Sequence, residues 1–383
     1  MKILHIGKYY PPFRGGMETA LQNVSEGLLD AGHEVTVITA GETTLEQTET
    51  IAGPVSGRQG RLIRLGVNGV LFSQPVTADL IGAMRREVTH MNPDIVHVHL
   101  PNPLAAAAWE VLCGLLRQPR PVLTVWYHAD ITRQKLGRHL VKPLLDLCLK
   151  RAAGICVAAK ALRINSPVLQ PFREKVSVVP FGIEEEPWLS VEPRRDGPFL
   201  FVGRLVPYKG VAVLLNAMAQ DTISELVIVG DGPLKSSLVG RVHELGLNSR
   251  VTFAGTLDKE KIAAHLARAM ALVLPSVDES EAFGLVQLEA MAAGVPVIAT
   301  DLPTGVPEVG VAGETGFLVP PNDEDSLAKV LQEIQGDEGL RREMGEAGRR
   351  RFIARYSRVR MVDGLVDFYQ NSLNRNQEKA SAS

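Results

Sequence analysis

Glu281-Ala-Phe-Gly-Leu-Val-Gln-Leu-Glu289 sets two carboxylates eight positions apart around a Phe283-Gly284-Leu285 step. The run before it, Met270 to Pro275, is short and apolar like a buried parallel strand, while Leu285 to Ala293 has helical composition and stops at Gly294. Strand, polar turn and helix are expected in that order. At such a turn the first helical N–H groups lack partners and the helix dipole favours negative charge, so a phosphate can sit there without a metal. Glu281 falls in the turn and Glu289 two helical turns on, roughly 10 Å away at the rise of an α-helix. An anion site flanked by two hydroxyl-accepting carboxylates has the layout of a sugar nucleotide, a diphosphate between hydroxylated rings.

The rest of the chain suits a soluble enzyme. Its 383 residues exceed what one core usually organises, and 45% hydrophobic content is ample for two domains. A net charge of −2 gives no global drive toward nucleic acid. Met1-Lys-Ile-Leu-His-Ile-Gly7 lacks the apolar core of a signal peptide, and no uncharged apolar run reaches membrane-span length, which places the chain in the cytosol. Cys113, Cys148 and Cys156 are few, odd in number and set in apolar surroundings, as buried free thiols are.

Short β-branched runs alternate with helical patterns. Strands are expected at Ile3–Ile6, Glu34–Thr39, Ile95–His99, Val122–Trp126, Gly154–Ala158 and Val176–Val179, with amphipathic helices such as Met17–Ala31 and Ala78–His90 between them. Glu184 to Pro198, rich in Pro and charge, reads as a linker. Alternation resumes at Phe199–Val202, Glu225–Val229, Arg250–Ala254, Met270–Pro275 and Val295–Ala299. The expectation is an α/β protein of two doubly wound, Rossmann-like domains, residues 1–185 and 196–356, facing each other across a cleft at their strand C-terminal ends. Asn374 to Ser383 is polar and reads as a disordered tail.

Further polar residues follow strands. Gly203-Arg204-Leu-Val-Pro-Tyr-Lys209-Gly210 puts two cations on a Gly-bounded loop that could neutralise a diphosphate or simply be solvated. Gly230-Asp231-Gly232-Pro233 is turn chemistry, open between a structural and a functional role. Pro11-Pro12-Phe13-Arg14-Gly15-Gly16 lets backbone approach a ligand before a helix but lacks the dinucleotide Gly-x-Gly-x-x-Gly spacing, which argues against a nicotinamide enzyme. His128 ends a strand. His97 and His99 share one sheet face and could chelate a metal, but no Cys or carboxylate completes a set nearby, which favours buried hydrogen-bonded rings.

In their order and spacing, the Gly15-Gly16 loop, His128, the Arg204–Lys209 loop, Gly230–Pro233 and the Glu-x7-Glu segment with Ala290-Met-Ala-Ala-Gly-Val-Pro296 resemble the retaining GT-B glycosyltransferases of family 4 over nearly the whole chain. The resemblance implies that Arg204 and Lys209 hold the donor diphosphate, and that Phe283, Gly284 and Leu285 offer N–H groups to it. Glu281 would meet sugar hydroxyls, Glu289 the ribose, Gly16 (beside Gly15) the distal phosphate, and His128 the transferred sugar near the reacting carbon. It also implies a C-terminal helix, about Ser357 to Leu373 within 357–383, packing back on the first domain. His128 is separated from Asp130 by Ala129, one residue more than many members have, so the role of Asp130 stays open.

The implied reaction is transfer with retained configuration, the nucleoside diphosphate leaving under stabilisation by Arg204, Lys209 and the helix start while the acceptor hydroxyl attacks from the same face. No metal and no further cofactor is required. Rivals are a hydrolase using Glu281 and Glu289 as acid and base, a sugar-nucleotide epimerase, and a binding module without catalysis. The run His128 to Lys135 resembles members that transfer mannose from GDP-mannose in O-antigen assembly, with UDP-glucose or another UDP-sugar as the alternative. Arg133, Lys135, Arg138, His139, Lys142, Lys150 and Arg151 alternate with leucines over 133–151. That segment is either a basic amphipathic contact with the inner membrane face, suited to a glycan or lipid-linked acceptor, or a core-facing helix with a basic rim.

Overall fold

The computed structural model describes residues 1–13, 15–71, 74–77, 79–116, 120–130, 135–220 and 225–381, except the side chains at 71, 135–140, 379 and 380. The chain forms two compact units, Met1–Gly182 with Arg358–Ser383, and Ile183–Ser357.

The first unit carries β1 (Lys2–Ile6), β2 (Glu34–Ala40), β3 (Gln47–Ala52), β4 (Gln59–Leu65), β5 (Val67–Leu71), β6 (Gln74–Thr77), β7 (Ile95–Leu100), β8 (Val122–Tyr127), β9 (Gly154–Val157) and β10 (Val176–Val178). Eight of them form one sheet in the order β10-β9-β8-β7-β1-β2-β4-β3, parallel except for β3, while β5 and β6 pair separately. Alternation along the central strands sorts their side chains. Leu4, Ile6, Val96, Val98, Leu123 and Val125 join a core with Met84, Trp109 and Leu149 of helices Leu80–Met91, Pro103–Leu115 and Lys135–Arg151. The intervening His5, His97, His99, Thr124 and Trp126 take the other face. Helix Arg358–Ser381 covers that side, with the Phe368 and Tyr369 rings edge-on to His97. It crosses two glycines: a Cβ on Gly27 would stand 2.5 Å from Val362, and one on Gly154 2.7 Å from Phe368.

The second unit holds β11 (Phe199–Val202), β12 (Leu226–Val229), β13 (Val251–Gly255), β14 (Leu272–Leu274), β15 (Val297–Thr300) and β16 (Gly316–Val319). All are parallel, in the order β13-β12-β11-β14-β15-β16. In both sheets the strand order reverses beside the first strand, between β1 and β7 and between β11 and β14. Loops leaving two adjacent strands on opposite sides at such a point open the crevice that ligands use in α/β sheets.

The mixed α/β character and the two doubly wound sheets are as the strand and helix pattern implies. Five strands escaped it: β3 and β4 form an edge hairpin whose β-branched residues are dispersed among Gln, Glu and Arg, β5 and β6 a small ribbon, and β16 is only four residues long. Glu184 to Pro198, read as a linker, is packed into the second unit: Trp188 and Val191 are buried and the Arg349 guanidinium donates to the carbonyls of Leu189 and Val191. The tail expected to be disordered from Asn374 continues the last helix to Ser381. All three cysteines are buried and free.

Candidate functional site

In the second unit the site grows from the β11–β14 reversal. The loop after β11 runs through a tight turn, Pro207–Lys209, to Gly210, whose φ of 65° is left-handed. A Cβ on Gly210 would lie 1.9 Å from the Pro275 carbonyl oxygen, so only glycine lets this loop lie against the one leaving β14. The Val277 N–H donates to the Tyr208 carbonyl at 2.8 Å and fastens the two loops. Below them the Gly230–Pro233 turn is a brace: the Leu205 N–H donates to the Asp231 carbonyl at 2.9 Å, and a Cβ on Gly232 would lie 2.5 Å from the Leu205 oxygen.

This fastening brings Lys209 onto Glu281. Their Nζ and Oε2 atoms are 2.5 Å apart with side chains 12% and 9% exposed. The Ser276 hydroxyl donates to the same Oε2 at 2.9 Å, and the Thr300 hydroxyl donates to the Ser276 carbonyl at 2.6 Å. Breaking such a buried pair leaves an uncompensated charge, so each partner holds the other in place. Gly284, at φ 73°, turns the chain into helix Val286–Ala292 against Leu274, and the Gln287 amide donates to the Phe283 carbonyl at 3.0 Å. Among the described residues no hydrogen bond engages the N–H groups of Gly284 or Leu285. Phe283 is buried, its ring edge-on to Tyr356. Glu289, partly open at its surface, has its carboxyl pushed up to about 7 by burial, with the Lys259 and Lys209 ammonium groups acting the other way. Arg204 is exposed and forms no ion pair among the described residues. The reading from sequence gave Lys209 and Glu281 separate tasks; here they are one unit.

In the first unit, the β1–β7 reversal gathers rings. β1 pairs with β7 so that His5 stands opposite His97, and β7 with β8 so that His97 stands opposite Thr124. His5 Nδ1 is 3.1 Å from His99 Nε2, and His99 Nδ1 is 2.9 Å from His128 Nε2. His97 Nδ1 meets the Thr124 hydroxyl at 2.8 Å. The rings of Trp126, His128 and Phe181 stack with centroids 5.1 to 5.8 Å apart. Burial lowers His5 and His128 to about 3, and His97 and His99 also lie well below the ordinary imidazole range, so all four are neutral at pH 7. His5, His97 and His99 offer ligand atoms within 4.8 Å of one another, a third ring that the sequence reading lacked. The parity of β1 against β7 was the signal that could have found His5.

Gly15 and Gly16 lead into helix Gly16–Asp30. A Cβ on Gly15 would stand 2.3 Å from the Glu18 carboxylate, whereas one on Gly16 would meet nothing within 4 Å. Glu18, also missed from sequence, lines a small pocket with Lys8, Tyr9 and His99, and burial raises its carboxyl. Asp130 accepts from the Tyr127 and Ser166 hydroxyls at 2.7 and 2.8 Å, an anchoring role. Arg14 and residues 131–134 lie outside the described residues, as do the side chains of 135–140. In the remainder of the basic segment Leu145, Cys148 and Leu149 face the core, Lys142 pairs with Asp146, and Arg151 pairs with Glu110 at 2.6 Å. No described helix is long and apolar enough to cross a membrane.

Two Rossmann-like sheets, each with polar groups gathered at its reversal point, define a GT-B architecture. Residues 183–351 match the family model of the glycosyl transferases group 1 and residues 14–186 that of glycosyltransferase family 4. The chain is 30% identical to O-antigen chain mannosyltransferase C of Escherichia coli, over 97% of this chain and 99% of that protein. It is 31% identical to the D-rhamnosyltransferase WbpZ of Pseudomonas aeruginosa, over 92% and 91%. The fold matches sucrose-phosphate synthase from Thermosynechococcus elongatus with a TM-score of 0.78 at 24% identity, covering both chains fully. It matches Anabaena HepE, solved with UDP, at 0.75 and 19% identity over 96% and 99%. The chain therefore belongs to the family 4 GT-B glycosyltransferases.

Proposed function

We propose that the protein is a retaining hexosyltransferase that moves mannose from GDP-mannose to a glycan or lipid-linked acceptor in surface-polysaccharide assembly. The observation that carries the donor site is the Lys209–Glu281 pair at the β11–β14 reversal beside the uncommitted N–H groups of Gly284 and Leu285. A diphosphate bound by those amides and by the cations of Lys209 and Arg204 would have the donors a departing phosphate needs. Glu281, held at one oxygen by Lys209 and Ser276, has its other oxygen for sugar hydroxyls, and Glu289 receives the ribose. His128 meets the transferred hexose, and the leaving phosphate oxygen takes the acceptor proton as the hydroxyl attacks from the same face. Protein cations neutralise the diphosphate, so no metal is required.

Mannose is supported by the O-antigen mannosyltransferase relative. A UDP-sugar is the second reading, favoured by the fold's likeness to HepE solved with UDP and UDP-glucose. Ligand binding to the folded state raises the melting temperature in proportion to RT ln(1 + [L]/Kd), so GDP, UDP, ADP and dTDP at equal concentration read the base pocket without an acceptor. Greater stabilisation by GDP supports the first reading, by UDP the second, and none by any of the four discards a nucleotide donor. Peripheral membrane contact through 133–151 rests on cations mostly outside the described side chains. Co-sedimentation with anionic vesicles at low salt tests it, and no binding there removes it.

A further inference from the structure

Three buried rings, His5, His99 and His128, are joined end to end by two hydrogen bonds, and each neutral imidazole has one N–H. Only two proton arrangements satisfy both bonds. In one, His128 Nε2–H donates to His99, His99 Nε2–H donates to His5 Nδ1, and the single proton of His5 is left on Nε2. That nitrogen is fully buried and has no hydrogen-bond partner, so this arrangement strands an N–H donor in the core. In the other, His5 Nδ1–H donates to His99 Nε2 and His99 Nδ1–H donates to His128 Nε2, leaving only a bare lone pair on His5. Orphaned buried N–H groups are the rarer of the two defects in folded proteins. His97 follows the same rule: Nδ1–H to the Thr124 hydroxyl leaves its unpartnered Nε2 as a lone pair.

We propose that His5 and His99 are positioning residues whose directed pair of hydrogen bonds holds His128 as its Nδ1–H tautomer. Among the described residues no hydrogen bond engages His128 Nδ1, so that N–H is the ring's one uncommitted group. His128 then meets a ligand oxygen as a neutral donor, and its only lone pair, on Nε2, is already taken. It cannot serve as a general base without first dismantling the chain of rings. Stacking on Trp126 and Phe181 fixes the ring plane, and burial keeps the charge off it. The inference deepens the proposed role of His128 and rests on it only for the effect on transfer.

The test is the imidazole nitrogen spectrum of the full chain labelled with 15N-histidine, the His128 signals being identified by their loss in His128→Gln. The wild type should show a pyrrole-like Nδ1 and a pyridine-like Nε2 at His128; a pyridine-like Nδ1, or a ring protonated on both nitrogens at pH 7, overturns the assignment. His5→Phe keeps a ring but removes the first donor, and should convert His128 to a tautomer mixture. His5→Asn places an amide N–H where Nδ1–H stood and should restore the single tautomer; equal spectra for the two variants overturn the directing role. Turnover of GDP-mannose should fall about 10- to 100-fold in His5→Phe, as for lost orienting partners elsewhere, return largely in His5→Asn, and leave GDP affinity unchanged. The expected spectra with unaltered turnover in His5→Phe would overturn the role of His128 in transfer, not its tautomer. Failure of the wild type to consume GDP-mannose would overturn the donor assignment, and the spectra still decide the tautomer of His128.

Discussion

Where β11 meets β14 the second unit gathers charge, Lys209 against Glu281 with Glu289 close by; where β1 meets β7 the first unit gathers rings that carry none. Both clusters occupy the same topological position in sheets of the same winding. What differs is the demand that the proposed reaction makes on each. A diphosphate that leaves with extra negative charge needs compensating cations and amides, whereas the sugar that loses it gains positive character, which a second cluster of cations would oppose and uncharged rings do not. One scaffold thus supports two electrostatic environments, chosen by the few residues that follow its strands.

The largest effect that could break this contrast is at Lys209. Lys209→Met should lower turnover about 10²- to 10³-fold, the range for loss of one preorganised charge-stabilising group, and should also melt earlier because Glu281 loses its partner. Adding Glu281→Gln should recover the stability and not the turnover. Steady-state rates and melting curves of both variants check this, and a Lys209→Met enzyme of near-normal rate would end the proposed phosphate role.

Two glycines sharpen it next. Gly210→Ala combines a left-handed φ with a 1.9 Å backbone clash and should cost about 3 kcal/mol or more. Gly16→Ala meets nothing and should melt within a degree or two of wild type, yet lose donor affinity if a phosphate approaches there. Chemical denaturation and calorimetric titration with GDP separate the two outcomes.

A smaller effect distinguishes the units by pH. If the ionised Glu289 carboxylate accepts from the ribose, GDP affinity should fall about tenfold from pH 8 to pH 6 as a carboxyl of about 7 takes up its proton. Glu289→Gln should abolish that dependence. Because folding raises this carboxyl above its ordinary 4.5, its contribution to stability is fully present below that value and lost as pH rises through about 7. Glu289→Gln should therefore melt higher than wild type at pH 8 and alike near pH 4. The buried rings of His5, His97, His99 and His128, already neutral, should add no pH dependence to GDP affinity between pH 5 and 8, and an inflection that survives in Glu289→Gln and is removed by substituting one of these four would contradict the uncharged cluster. The smallest expected change is none: EDTA should leave turnover unaltered, and a loss restored by a divalent cation would show that the diphosphate needs a metal.

Much of this was legible in advance. Buried parallel strands read as apolar runs, and Glu281 to Glu289 announces a loop and helix start whatever surrounds it. The edge hairpin β3–β4 was not legible, because β3 is almost wholly exposed and charged or amide side chains break up its β-branched residues. The stretch around Trp188 looked like a linker since Pro and charge dominate it, yet one buried indole ties it down. Pairings were the least visible. Lys209 meets Glu281, and His5 meets His99, only because strands distant in sequence become neighbours at a reversal point, which no local pattern encodes.

Helix Arg358–Ser381 belongs to the first unit, although the whole of the second unit is synthesised before it. A nascent chain emerging N-terminus first can thus complete its second sheet while the first still shows a bare face at Gly27, His97 and Gly154. Removal of this helix would injure the first unit more than the second, and one face of the histidine cluster stays uncovered until Phe368 and Tyr369 have been made.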